Sequence, residues 1–404
     1  MIRSVIVVGG SHAGLFTGIA LQRTGVEVRI YERAPEMLRG TGAGIRVQPL
    51  LADMLMREAG IDLAPATTRT RFDRHLAPRR DSSDNRIVFE QREDGQFASW
   101  GSVYRALIAA FGCRNYHCGE TCIDSTERNG QVEVRFASGR VDAADLVVFA
   151  DGIASPARQR LASRARLSYV GYVCWRGLVT ETSLSGATRA LQNDARLFVV
   201  PGLSHVITYL VPGETDGNSE GQRRINAMWY RNVAEGAALD DLMTDSGGIH
   251  RPTTLKAGTV QPKHLDAFRR DVANELPPAV AEVFGLAEPW VTPIYDVEPT
   301  RMVFGRQILI GDAAAATRPH VSASTARAMR AASGLAATVH AVRSSHDLTP
   351  ALAAWEREHL AIAWDFTRRG RMIGRRLQVE GTFVPGDPEL SQITMPVTAR
   401  DHPG

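Results

Sequence analysis

Residues 4–32 constrain the fold more than any other stretch. Ser4 to Val8 is a short, almost wholly apolar strand, Gly9 to Gly14 is a glycine-bearing turn, and Ala13 to Arg23 carries Leu15, Ile19 and Leu21 as a helix packed on a sheet would. Gly25 closes that helix, and Val26 to Tyr31 is a second strand with Glu32 at its end. Strand, turn, helix and strand in this order predict a βαβ unit, and an acid so placed reaches a ribose hydroxyl. The turn itself, VVGGSHAGL, departs from G-x-G-x-x-G at its middle position, where Ser11 stands. Gly9 permits the tight turn, and Gly14 lets helix and strand approach closely. The N–H groups that open the helix face a pyrophosphate. The Ser11 hydroxyl can donate to a phosphate oxygen. Taken alone, the turn does not separate NAD from FAD, nor either from an unrelated glycine-rich joint.

The composition is that of a globular chain of two or three domains: 404 residues, 44% hydrophobic and 23% charged. Lys256 and Lys263 are the only lysines among 47 basic residues, and the arginines are spread along the chain, so no nucleic-acid surface is expected. No run reaches the ~18 apolar residues of a membrane span, and Val5 to Val8 is too short for a signal segment. A cytoplasmic enzyme that contacts no membrane is expected. Cys113, Cys118 and Cys122 lie near His117, but their spacing fits no common zinc site. Reduced thiols and no metal are expected, Cys174 included.

Two later motifs bear on the cofactor. DLVVFADGIASPARQRL, Asp145 to Leu161, presents Asp151 at a strand end just before a helix that Ser155 and Pro156 start. QILIGDAAAATRPHVSASTARAMRAA, Gln307 to Ala332, presents Asp312 at another strand end, followed by Arg318-Pro319-His320 and a helix from about Ser322 to Val339. A carboxylate there can accept hydrogen bonds from ribitol, and a helix starting just beyond can stabilise the negative charge of a reduced flavin.

With the N-terminal turn, these motifs resemble the FAD-dependent aromatic hydroxylases, single-component flavoprotein monooxygenases of the p-hydroxybenzoate hydroxylase type. The resemblance covers about residues 1 to 380. GTGAGIRVQP (Gly40 to Pro49), YVGYVCWRGLV (Tyr169 to Val179), NAMWYRNV (Asn226 to Val233) and RPHVSASTARA (Arg318 to Ala328) resemble the 2,6-dihydroxypyridine 3-hydroxylase branch, which also carries a Gly-Gly-Ser turn. The chain departs from the family at Ala315, where histidine is common, and at Ser322, Ser324 and Ala326, where G-x-G-x-N is common. Ala331 replaces an aspartate, and Arg46 stands where the branch tends to be apolar.

The resemblance implies an α/β fold, with a Rossmann-like FAD-binding domain interleaved with an antiparallel-sheet substrate domain and followed by C-terminal helices. The expected boundaries are 1–70, 101–166 and 288–345 for the FAD domain, 71–100 and 167–287 for the sheet domain, and 346–404 for a helical segment and tail. Leu352 to Arg376 has helical periodicity and many arginines, as a solvated face or a homodimer surface would. FAD contacts are expected from Gly9, Gly10, Ser11, His12, Ala13, Gly14, Glu32, Arg33, Gln48, Arg105, Asp151, Asp312, Pro319, Ser322 and Ala323, with His12 shaping the turn. The pocket residues are Arg46, His205, Thr208, Tyr209 and His320, and His320 is the catalytic candidate because an imidazole suits acid–base work in this loop. His205 and Tyr209 share one strand face and Thr208 the other, and the sequence does not say which faces the pocket. Trp175 and Trp229 are expected in the core.

The activity implied is hydroxylation of an electron-rich aromatic ring by a C4a-hydroperoxyflavin, with O2 and transiently bound NADH or NADPH as co-substrates. A Baeyer–Villiger oxygenase, epoxidase or dehydrogenase on the same scaffold is the alternative, and a non-catalytic nucleotide-binding protein the third.

Overall fold

A computed structural model describes residues 2–38 and 43–387. Gly40 to Gly42 of the GTGAGIRVQP stretch and the tail beyond residue 387 lie outside the described residues.

The first sheet has six strands in the order Val303–Phe304, Gln307–Leu309, Leu146–Phe149, Ser4–Val8, Glu27–Tyr31 and Tyr116–His117. All its pairs are parallel except the first. Its central strands are apolar on both faces because both are covered, and Val5, Ile6, Val147, Val148 and Ile308 are fully buried. The helix His12–Gln22 packs between Trp100–Phe111 and Ser324–Ala341. A three-stranded sheet, Cys122–Arg128, Gln131–Phe136 and Val141–Ala144, adds Val132, Val134 and Phe136 to the same core.

The second sheet has eight strands in the order Trp290–Val297, Leu167–Thr180, Arg224–Asn232, His205–Val211, Ala195–Val199, Thr68–Leu76, Ile87–Ser99 and Gly44–Arg46. Its pairs are antiparallel except that between Ala195–Val199 and Thr68–Leu76. One face buries Val173, Trp175, Val206, Leu210 and Trp229 against Phe268 and Phe284 of the helices Pro262–Glu275 and Pro278–Leu286. Each large apolar side chain so buried contributes roughly 1.5–3 kcal/mol. The other face carries Tyr172, Cys174, Tyr209, Tyr230 and Phe97 toward the nucleotide side.

The expected boundaries at 70 and 288 cut through this sheet, since Gly44–Arg46 and Trp290–Val297 belong to it. A three-residue strand is too short to show alternation, and Trp290–Val297 reads equally well in either sheet until its partner, Leu167–Thr180, is known.

The C-terminal helix Ser345–Arg375 presents Arg368 and Arg375 outward and buries Leu348, Leu352, Trp355 and Phe366. The Trp355 indole N–H donates to the Ala331 carbonyl at 3.0 Å. Ala331 is buried beneath this helix. No helix among the described residues is long and apolar enough to cross a membrane.

Candidate active site

The three motifs meet at one edge of the parallel sheet. Gly9 sits at φ +104°, and a Cβ there would lie 2.3 Å from the Ala150 carbonyl oxygen, while one on Gly14 would lie 1.8 Å from the Gly9 oxygen. Both positions therefore demand glycine. Gly311 closes against the same helix, so that a Cβ on it would be 3.1 Å from that of Ala13. Ser155 accepts the Arg158 backbone N–H at 2.9 Å and Pro156 occupies the first turn. The wholly buried Arg158 guanidinium then donates to the carbonyls of Ile153 at 2.5 Å, Asp312 at 3.3 Å and Ala313 at 3.4 Å. This arginine, visible in the sequence only as the end of a pattern, bolts the mid-chain turn to the late one.

Glu32 is buried; its carboxylate accepts the Gly10 N–H at 2.8 Å and the Ala34 N–H at 2.9 Å. His12 stacks on Trp100 with centroids 4.6 Å apart, and its Nε2 lies 3.0 Å from the Trp100 carbonyl. Burial pushes the His12 imidazole down to about 4, so the ring is neutral and donates that bond. Asp151 is pushed up by burial, and its Oδ1 has no partner among the described residues. Asp312 is half-exposed, 3.8 Å from Arg327. Ser11 and Ala323, which precede the helices His12–Gln22 and Ser324–Ala341, offer no side-chain cap, leaving the first N–H groups of both helices for a ligand. A turn closed so tightly that no Cβ is tolerated, a carboxylate oxygen with no partner among the described residues and two uncapped helix starts fit a dinucleotide with a charged pyrophosphate.

Other expected cofactor residues are placed as follows. Gln48, which immediately precedes the helix Pro49–Ala59, donates from Nε2 to the Ser322 carbonyl at 3.1 Å and so ties that helix start to the late loop. Ser322 adopts φ +48°, a left-handed backbone that explains why glycine is common there. Arg33 is exposed. Arg105 lies on the helix Trp100–Phe111 and is engaged by Asp216.

A cavity of about 230 Å³ lies between the late loop and the aromatic face of the large sheet. Arg46, His205, Tyr209, His320, Pro319, Ser322 and Ala323 line it. Thr208 does not: alternation turns it to the opposite face, where its hydroxyl donates to Gln192 Oε1 at 2.6 Å. The strand face left open by sequence is thus the one carrying His205, Ile207 and Tyr209.

His320 is held by Tyr172, whose hydroxyl is 2.7 Å from its Nε2. Burial and the neighbouring Arg318 push its imidazole down to about 3. His205 stacks on Tyr230 at 4.5 Å and lies 5.1 Å from the His320 ring. Its Nδ1 receives the Gln378 amide at 2.8 Å, which puts the ring proton on Nε2, an atom with no partner among the described residues. Burial, then His320, lowers the His205 pKa well below its usual value. Tyr172, Tyr230, Arg176 and Gln378 were not singled out in the sequence. Tyr172, Cys174 and Arg176 do alternate within YVGYVCWRGLV, which is the signal that they share a face.

Fold and site define a flavin-type nucleotide oxidoreductase: a dinucleotide cradle beside an aromatic-walled cavity. A family model described as FAD binding domain-like matches residues 169–296. The chain is 34% identical over 387 residues to 2,6-dihydroxypyridine 3-monooxygenase from Paenarthrobacter nicotinovorans, covering 96% of this chain and 94% of that one. It is 26% identical to 6-hydroxynicotinate 3-monooxygenase from Pseudomonas fluorescens over 86% of each. The structure of 2,6-dihydroxypyridine-3-hydroxylase from Arthrobacter nicotinovorans superposes with a TM-score of 0.90 at 33% identity, covering 98% of this chain and 99% of that chain. HpxO from Klebsiella pneumoniae, complexed with FAD and uric acid, shares the fold at a TM-score of 0.75 and 21% identity, over 94% and 89% of the two chains. The chain belongs to the FAD-dependent aromatic hydroxylases, flavoprotein monooxygenases that hydroxylate aromatic rings.

Proposed function

We propose that this protein hydroxylates a hydroxypyridine-type ring, with NADH or NADPH as transient reductant and O2 as the oxygen source. The observation that carries the proposal is the Nε2–H of His205, which faces the aromatic cavity with no partner among the described residues. A buried donor with no partner is costly, and a ring oxygen or nitrogen would satisfy it. The two relatives named above as monooxygenases of a dihydroxypyridine and of a hydroxynicotinate favour this reading over a Baeyer–Villiger oxygenase, epoxidase or dehydrogenase.

The proposed FAD contacts are the turn Gly9–Gly14 for the pyrophosphate, Glu32 for a ribose, Asp312 for the ribitol, and the start of Ser324–Ala341 for the ring system. Bound FAD, once reduced, supplies an electrophilic oxygen derived from O2. The chain's own part is positioning and exclusion. Phe198, Ile207, Met228, Leu377 and Phe383 wall the cavity and keep water from the reacting ring. His205 orients the ring through one hydrogen bond. Gln378 fixes the His205 tautomer, and Tyr172 fixes His320. Both imidazoles stay neutral, so neither places a positive charge beside the attacking ring carbon.

The test is His205→Phe, which keeps an aromatic ring against Tyr230 and removes the N–H. The variant should keep FAD and still oxidise NAD(P)H, while product formed per reductant falls roughly tenfold. Unchanged coupling across a panel of hydroxypyridines would show that His205 does not hold the ring.

A further inference from the structure

Among the described residues three arginines line the cavity, and two of them are neutralised. Arg46 Nη2 is 2.6 Å from Glu93. Arg196 makes a two-pronged pair with Asp73, at 3.0 and 2.6 Å. Arg176 is different. Among the described residues no carboxylate lies within ion-pair distance of it, and its buried Nε has no hydrogen-bond partner. The titratable groups that bear on it most are uncharged at neutral pH: the Cys174 thiol, which is hydrogen-bonded to it, and the hydroxyls of Tyr230 and Tyr209. A guanidinium does not shed its proton, so a positive charge stands in a low-dielectric wall without a counter-ion.

Its place in the sheet points at the substrate. Arg176 is opposite Met228, which is opposite Ile207, so the three form one cross-strand row under the cavity. Cys174, Tyr230 and His205 form the neighbouring row, about 7 Å away along the strands. Arg176 and His205 lie at opposite ends of these rows, two strands apart with Arg224–Asn232 between them, so their backbones are roughly 12 Å apart and a substituted ring can lie between the two side chains.

We propose that Arg176 binds an anionic oxygen carried by the ring substrate, a carboxylate or an ionised ring hydroxyl, so that the cavity selects anionic over neutral rings. The inference rests on the hydroxylase reading above. It makes Arg176 a specificity residue: the charge it neutralises is on the ring.

The experiment titrates FAD-loaded protein with 6-hydroxynicotinate, its neutral amide and 2,6-dihydroxypyridine, following the absorbance of bound FAD. In the parent protein the acid should bind at least about tenfold more tightly than the amide, or 2,6-dihydroxypyridine should tighten as it ionises. Arg176→Gln should weaken the favoured anion by about 30-fold while moving the amide less than about threefold, and Arg176→Lys should restore part of the difference. Loss of acid affinity marks a carboxylate as the partner; a flattened pH dependence for 2,6-dihydroxypyridine marks a ring oxyanion. Acid and amide weakened equally, or all affinities unchanged, would overturn the proposal. If Arg176→Gln fails to fold, the parent protein still decides, because indifference to ring charge overturns it. A chain that takes up no FAD overturns the hydroxylase reading itself.

Discussion

Replacing His12 by asparagine tests how tightly the nucleotide turn is built. The imidazole is the first residue of the helix His12–Gln22, buried and stacked on Trp100, with one bond to the Trp100 carbonyl. A proton there would be desolvated and would face the positive end of a helix. Its pKa accordingly falls from 6.5 to about 4, burial being the larger cause and the Trp100 bond opposing it. As pH drops below 6.5 the unfolded chain takes up this proton and the folded chain does not, so stability falls until about pH 4 and then levels. At about 1.4 kcal/mol per pH unit the loss is roughly 3 kcal/mol. Asparagine can still donate to the carbonyl but does not titrate. Denaturant unfolding at about pH 7 should show His12→Asn destabilised by about 1 kcal/mol through the lost stacking. At about pH 4.5 the order should reverse, with the variant the more stable by roughly 2 kcal/mol. Parallel acid losses in parent and variant would refute a buried neutral His12.

Gly14→Ala should push the helix away from Gly9 and lower FAD affinity by about tenfold or more, whereas Gly25→Asn, at a left-handed position with open space, should leave it unchanged; equilibrium dialysis with FAD compares them. Ser322→Gly should stay within about 1 kcal/mol of the parent in stability, because relieved strain and added chain entropy offset each other. Ser322→Val should lose about 1–2 kcal/mol by the same unfolding assay. His320→Ala removes the partner of Tyr172 and should reduce coupled hydroxylation with FAD content unchanged; product yield per NAD(P)H reads it.

The nucleotide half was legible because local chemistry writes it. Gly14, Glu32 and Ser155 each answer to a neighbour close in the chain or to a helix terminus, and such demands show as residue type at fixed spacing. The pocket was half legible. Alternation predicts that Thr208 and Tyr209 part ways, but only the pairing of His205–Val211 with Arg224–Asn232 and its contact with the late loop say which face is enclosed. Gln378 was invisible, since it reaches His205 from the helical segment Arg376–Glu380, 173 residues away in the chain. Arg176 was invisible for a different reason: an arginine's pairing is a fact about its surroundings, and nothing in CWRGLV tells a neutralised guanidinium from a bare one.

The central claim is that the three turns hold one FAD beside a cavity in which an aromatic ring is oxygenated. The most direct measurement supplies FAD-loaded protein with NADH or NADPH, 2,6-dihydroxypyridine or 6-hydroxynicotinate, and isotopically labelled O2, and weighs the product. The account predicts a ring product carrying one labelled oxygen atom, with reductant oxidation accelerated by the ring. Product oxygen drawn from water, or reductant oxidation that yields only peroxide whichever hydroxylated ring is present, would contradict it.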